Sequence, residues 1–476
     1  MKKILSSILA CSIMMSLLAA CNNEQEKTTS VNTEQNEIQS GNSLENSENT
    51  KGSKAEERTI IDVWSEDRHD QEYVEKMVAK YNEANEDNIE IKLNLITEDY
   101  RNMLSLSYNG GTAPDVVGAN SLPLNQFADT GILMPLNDFI EKDPEFQKVN
   151  DPYSNSFEGS NVKDGKIYMV YSGMRSGVRV EYNKAILDQV GANEIPKKLD
   201  DYINLAKKIT EAGKGEFYGI GFPSSSPFER LLEMSAQTSG IYFYDYVNGK
   251  FDFTGYRPIL EKGRELVKYA YPDQQGVDNM RALFAQGSFA LWSNASQEAG
   301  VFTKQIPVTD FEWGVAEVPT LDGEIKGALQ ITPSKAYGIV SNSDSIDDAW
   351  KVIHYFQSEE FLKGYLEGGF SLPITEYMNG VIDHSKTGRL ADFSLLEHES
   401  VYPTAPLVNL QGDDYRTVLW NAVMGYVEID DAINDLNERY NAALDADIAS
   451  GTVKRLVITD YNPMKPNEGT VQYLDK

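Results

Sequence analysis

The chain has 476 residues, 10% of them aromatic, and carries 43 Lys and Arg against 73 Asp and Glu, a formal net charge of −30. That balance disfavours nucleic acid as a partner, since phosphate binding requires concentrated basic residues; the acidity reads as a solvated surface that keeps the protein soluble. Only two cysteines occur, Cys11 and Cys21.

Lys2 and Lys3 precede an apolar run from Ile4 to Ala20 that ends in Leu18-Ala19-Ala20-Cys21. A basic start, a short apolar stretch and small residues describe a cleaved export signal, not a permanent membrane helix. The ending resembles a bacterial lipobox. That resemblance implies a signal peptide over 1–20, lipidation of Cys21, and anchoring of the mature chain to the outer face of the cell membrane by its acyl chains. Cys11 would be discarded and Cys21 blocked by lipid, which excludes disulfides, thiol catalysis and cysteine-ligated zinc.

Residues 21–58 are rich in Asn, Glu, Ser, Thr and Lys, with no aromatic residue. A segment with so little apolar surface cannot offset its ordering entropy, so it is expected to be a disordered tether. From Thr59 onward the chain is long enough for two lobes.

Thr59-Ile60-Ile61-Asp62-Val63-Trp64 reads as a strand, and Tyr73, Val74, Met77, Val78 and Tyr81 share one face of a following helix. Ile89, Ile91, Leu93 and Leu95 alternate with polar residues as a second strand. A helix from about Tyr100 ends at Gly110-Gly111, and Pro114-Asp115-Val116-Val117 opens a third strand. This β-α-β-α-β order predicts a parallel sheet with right-handed crossovers and ligand at the carboxyl ends of its strands. Trp64 and Asn120, at two such ends, are expected to face one crevice.

Several segments resemble, in order, those of the extracellular solute-binding proteins of ABC importers, the family that includes maltose-binding protein. They are Gly111-Thr112-Ala113-Pro114-Asp115-Val116-Val117, Gly131-Ile132-Leu133-Met134-Pro135-Leu136, Glu181-Tyr182-Asn183-Lys184, Ala285-Gln286-Gly287-Ser288-Phe289-Ala290-Leu291-Trp292-Ser293-Asn294, and Ala349-Trp350-Lys351-Val352. Ser172, Leu199 and Gly327-Ala328 depart from the family's usual proline, tryptophan and paired glycines. The resemblance implies an α/β fold of two lobes, each a mainly parallel sheet flanked by helices, closing on solute about a hinge. The expected division is 59–170 with 302–365 in the first lobe, and 171–301 with 366–476 in the second. It also implies a monomer that hands a small solute to separate permease subunits. Carbohydrate is the expected class, because sugars offer C–H faces to aromatic rings and hydroxyls to polar side chains; a polyamine is the alternative, since an acidic, aromatic cleft also suits cations.

On that basis the ligand-binding candidates are Trp64, Asp67, Asn120, Ser121, Tyr171, Arg175, Trp292, Asn294, Tyr402, Tyr415 and Trp420. Trp292 is the leading candidate, because the family places a stacking aromatic in this loop. Trp350, with Ala349, Val352, Ile353 and Phe356 at helical spacing, reads as core. No catalytic residue, cofactor or metal site is expected. Ser160-Asn161-Val162-Lys163, Tyr202-Ile203-Asn204 and Lys386-Thr387-Gly388 follow the order of penicillin-binding motifs, but Lys163 runs into the Asp164-Gly165 turn and Tyr202 lies within an amphipathic helix. The four histidines are too scattered for a metal site. Asp344, Asp347 and Asp348 are expected to open a helix, where its dipole favours acids. A surface glycan or peptidoglycan hydrolase built on paired carboxylates is the remaining enzyme class, and only their spacing in space would reveal it.

Overall fold

The computed structural model describes Arg58–Asp475 except Asn120, Ser121 and Pro123. The expected signal peptide with Cys21, the expected tether up to residue 57, Asn120 and Ser121 lie outside the described residues.

Two sheets organise the fold. The first is built from β1 (Thr59–Ser65), β2 (Ile89–Leu95), β3 (Val116–Ala119), β4 (Val170–Arg175) and β9 (Thr332–Ile339), in the order β2-β1-β3-β9-β4. β1 runs parallel to both β2 and β3, and β9 is antiparallel to β3 and β4. Four of its strands therefore share one direction. The helices α1 (Gln71–Ala84) and α2 (Tyr100–Asn109) supply the crossovers. α1 buries Val74, Met77, Val78 and Tyr81, the stripe anticipated from their spacing, because positions three and four apart stand on one helical face.

The second sheet contains β5 (Arg179–Asn183), β6 (Tyr218–Ile220), β7 (Phe289–Asn294) and β8 (Trp313–Glu317), ordered β8-β5-β7-β6. β6 and β7 are parallel, and β5 is antiparallel to β7 and β8. Each sheet is covered on both faces, so four hydrophobic clusters form instead of two. Tyr202 is fully buried in one of them, on the helix Leu199–Gly213. Asp164 and Gly165 form a tight turn with positive φ between paired residues Lys163 and Lys166. Trp350 is buried on the helix Ile346–Phe356, whose first turn carries Asp347 and Asp348.

The chain passes between sheets at points that differ from the expected division. Tyr171 to Arg175 complete β4 of the first sheet, so the first passage follows Arg175 instead of preceding Tyr171. The segment 302–365 is divided: Trp313↔Asn183 and Val315↔Glu181 pair within the second sheet, whereas β9 returns to the first. Met378 and Ile382 pack with the first sheet and Leu390 and Phe393 with the second, which puts the last passage beyond 366. Register pairing, a long-range property, fixes these boundaries; local composition does not change across them.

Candidate functional site

In the first sheet the carboxyl ends of β1, β3 and β4 lie along one edge, since Ala119 is paired with Ala336 and Arg175 with Thr332 on the same strand β9. In the second sheet the carboxyl ends of β6 and β7 lie along one edge, and Asn294 at the end of β7 faces Arg179 at the start of β5. Only Ser176, Gly177 and Val178 separate Arg175 from Arg179. The two carboxyl edges therefore meet at this peptide, where open α/β sheets bind ligands. Ser176 N–H donates to Ser296 Oγ at 3.2 Å, tying it to the loop after β7.

Each edge carries a cluster of buried charge. On the first, Asp67 stands 3.8 Å from Arg175, and 3.6 Å from both Lys335 and His69. Lys335, almost wholly buried, donates to Asp70 at 2.6 Å, and Tyr365 donates to the same oxygen. Burial pulls the His69 imidazole below its ordinary pKa. Asp67, His69 and Asp70 place possible ligand atoms within 4.8 Å of one another, a spacing a cation could use, but the Lys335 ammonium already sits against both carboxylates.

On the second edge, Asn294 is 1% exposed and its carbonyl accepts from Arg230 Nη1 at 2.6 Å, from Gln297 Nε2 at 2.7 Å and from the Ala295 N–H at 3.0 Å. Its amide nitrogen donates to Glu298, whose carboxylate also receives Arg281 at 2.5 Å. Beside it lies Glu181, fully buried, with no well-formed hydrogen bond to either carboxyl oxygen among the described residues. Burial, and then Glu298, push the Glu181 carboxyl well above the ordinary carboxylate range, which favours its protonated form. Nearby, Arg416 donates to Glu233 at 2.6 Å and lies 3.6 Å from Glu229. Arg230 Nε and Gln297 Oε1, like Trp292 Nε1 and Ser293 Oγ on β7, are buried at this edge with no hydrogen-bond partner among the described residues.

Residues 65–362 match the family described as bacterial extracellular solute-binding protein. The chain belongs to that family. Among relatives of this solute-binding protein, the maltotriose-binding protein of Pyrococcus abyssi is 21% identical over 346 residues, covering 69% of this chain and 68% of that one. The sugar-binding protein MalE from Xanthomonas citri superimposes with a TM-score of 0.65 at 19% identity, covering 82% of this chain and 98% of its own. The maltose/maltodextrin-binding domain of Bdellovibrio bacteriovorus bound to maltotriose does so with a TM-score of 0.61 at 19% identity, covering 82% and 100%. These likenesses show a shared two-lobed fold. No helix among the described residues of the solute-binding protein is long and apolar enough to cross a membrane.

Of the residues singled out from sequence, Asp67, Arg175 and Asn294 come to the facing edges. The aromatic ones are packed into hydrophobic clusters, Trp64 at the carboxyl end of β1 among them. Trp292 is fully enclosed, 6.0 Å from Phe289 by ring centroid and clustered with Met280, Phe284, Phe302 and Trp313. Its ring offers no free face in this conformation, because these neighbours enclose it. Trp64 packs edge-on against Tyr100 at 6.5 Å, and Tyr171 bonds Ser160 at 2.8 Å within the same cluster. Tyr402 donates to the Ala328 carbonyl and lies under Tyr242, Tyr415 donates to Glu233, and Trp420 packs on Phe222; all three belong to the core of the second sheet. Arg230, Gln297 and Glu298 escaped the sequence reading. The carboxyl-end rule, applied to the second sheet as it was to the first, points to the segments after β6 and β7 that carry them.

Proposed function

We propose that this solute-binding protein captures a neutral carbohydrate, of the size of a short oligosaccharide, between its two lobes and delivers it to the permease of an ABC importer. The reading extends to a lipid on Cys21 that holds the protein at the outer face of the membrane, and to a monomeric binding unit without catalytic activity.

The observation that carries the choice of solute is charge balance. At the first edge Asp67 and Asp70 face Arg175 and Lys335; at the second Glu229, Glu233 and Glu298 face Arg230, Arg281 and Arg416. Glu181 adds no charge while it keeps its proton. A solute bringing net charge would have to disrupt these pairs, and uncompensated buried charge is costly. A polyhydroxylated neutral molecule needs only donors and acceptors, and Arg230 Nε with Gln297 Oε1 offers one of each. This favours sugar over polyamine. The names of the relatives, with maltotriose among their ligands, point the same way.

The test is calorimetric titration of the protein with maltotriose, other neutral oligosaccharides and spermidine. Saccharide binding without product formation is the expected result. Binding of spermidine with no response to any saccharide would overturn the solute class, and release of shortened sugars would overturn the non-catalytic reading.

A further inference from the structure

We propose that Glu298 is the positioning residue of the solute-binding loop, holding Arg230 and Gln297 in place through Asn294. The inference rests on the crevice being the solute site, but its geometry can be tested without a solute.

The side chain of Asn294 is a four-way junction. Its carbonyl takes three donors, from Arg230, Gln297 and the Ala295 backbone, and its amide gives a hydrogen to Glu298. An amide oxygen has two lone pairs, so three donors converge on it only if the group is held in one orientation. The Asn294-to-Glu298 bond supplies that orientation, because flipping the amide would set its oxygen against a carboxylate. Glu298 is in turn fixed by Arg281, which contacts it through Nε and Nη2 and anchors itself to Asp278 at 2.8 Å.

Among the buried polar atoms of this edge without a hydrogen-bond partner, Arg230 Nε and Gln297 Oε1 belong to the two side chains this junction holds. Glu298 itself is fully buried and contacts solute only through them. Loops are ordinarily the more mobile parts of a fold. Here the loop after β7 is closed across its ends by the Asn294-to-Glu298 bond and held at its middle by Ser296 to the interlobe peptide, so its polar atoms are preorganised and less ordering entropy opposes binding.

The experiment uses the exported chain without its signal, comparing wild type with Glu298→Gln and, should that variant fail to fold, Asn294→Ala. The first readout is hydrogen–deuterium exchange over residues 293–300 in the absence of any solute. Exchange at least tenfold faster in the variant, with the first sheet unaffected, is expected; unchanged exchange overturns the proposal. The second readout is affinity for maltotriose. A loss of tenfold or more supports the role, and affinity kept within twofold overturns it. If wild type binds no saccharide, the carbohydrate reading fails while the exchange comparison still decides the role of Glu298.

Discussion

Arg179 and Glu399 stand 220 residues apart in the chain and form a two-pronged ion pair, 2.9 Å at each contact, with side chains 3% and 0% exposed. Glu399 also accepts from the backbone N–H of Gly177 and of Leu396. One carboxylate thus fastens the peptide that leaves the first sheet to the strand pair Leu329↔Glu399 that returns beside it. Glu399→Ala is expected to destabilise the protein by about 3–5 kcal/mol, the usual penalty for leaving one member of a buried pair without its partner. Urea denaturation measures this, and a loss below about 1 kcal/mol would mean that water replaces the pair.

Gly177 occupies the same passage. A Cβ there would lie 2.4 Å from Leu329 Cγ and 2.9 Å from Glu399 Oε1, so Gly177→Ala must push the two passages apart. Overpacking of this kind costs about 1–3 kcal/mol. The variant should melt earlier than wild type in a thermal scan and bind solute more weakly, since the two carboxyl edges meet at this peptide.

Glu181 makes stability depend on pH. The unfolded chain releases this proton near the ordinary glutamate value of about 4.3, whereas in the folded protein burial and Glu298 hold it to much higher pH, against Arg179; Arg230 and Tyr202 are its other charged or titratable neighbours. The stabilising contribution is therefore complete below the unfolded value and declines as pH rises toward the folded one, by up to about 1.4 kcal/mol per pH unit. Glu181→Gln removes the proton from the balance. Between about pH 5 and 7 wild type should lose stability relative to this variant in urea titrations; a constant difference across that range would refute the assignment.

Trp292 is expected to behave as core. Trp292→Ala should cost about 3–5 kcal/mol, the range for deleting a large buried aromatic, whereas Trp292→Phe should retain most of that stability together with solute affinity. Selective loss of affinity by the phenylalanine variant, at unchanged stability, would return the ring to the ligand site.

Arg175→Ala removes a crevice charge while leaving Lys335 to face Asp67. Solute affinity should fall about tenfold or more with little change in melting temperature, because Arg175 keeps part of its surface exposed. An equal fall in both would make Arg175 a structural residue only.

The first hundred residues of the folded region were legible because local pattern and tertiary role coincide there. Alternation at Ile89 and Ile91, and helical spacing from Val74 to Tyr81, each bury what they predict. The ordered motifs led to the family for the same reason: most are turns or strand ends whose residue types are dictated by local backbone, and Ala349-Trp350-Lys351-Val352 is a helix face set by its spacing. Asp67 and Arg175 read from sequence as polar residues beside the expected cleft segments, and the fold brings them together.

The aromatic residues show where that reasoning stops. Trp292, Tyr402, Tyr415 and Trp420 have the chemistry of sugar platforms, yet the same apolar surface suits a core, and only packing chooses between the two. By itself the sequence determined the order of the first three strands and two helices, the family and the acidic composition, all properties of neighbouring residues. The tertiary structure decided which sheet claims Trp313–Glu317, which carboxylates lose their water, and which polar atoms remain for a solute. Those outcomes depend on register and burial between segments as distant as Arg179 and Glu399, and no local pattern encodes such distances.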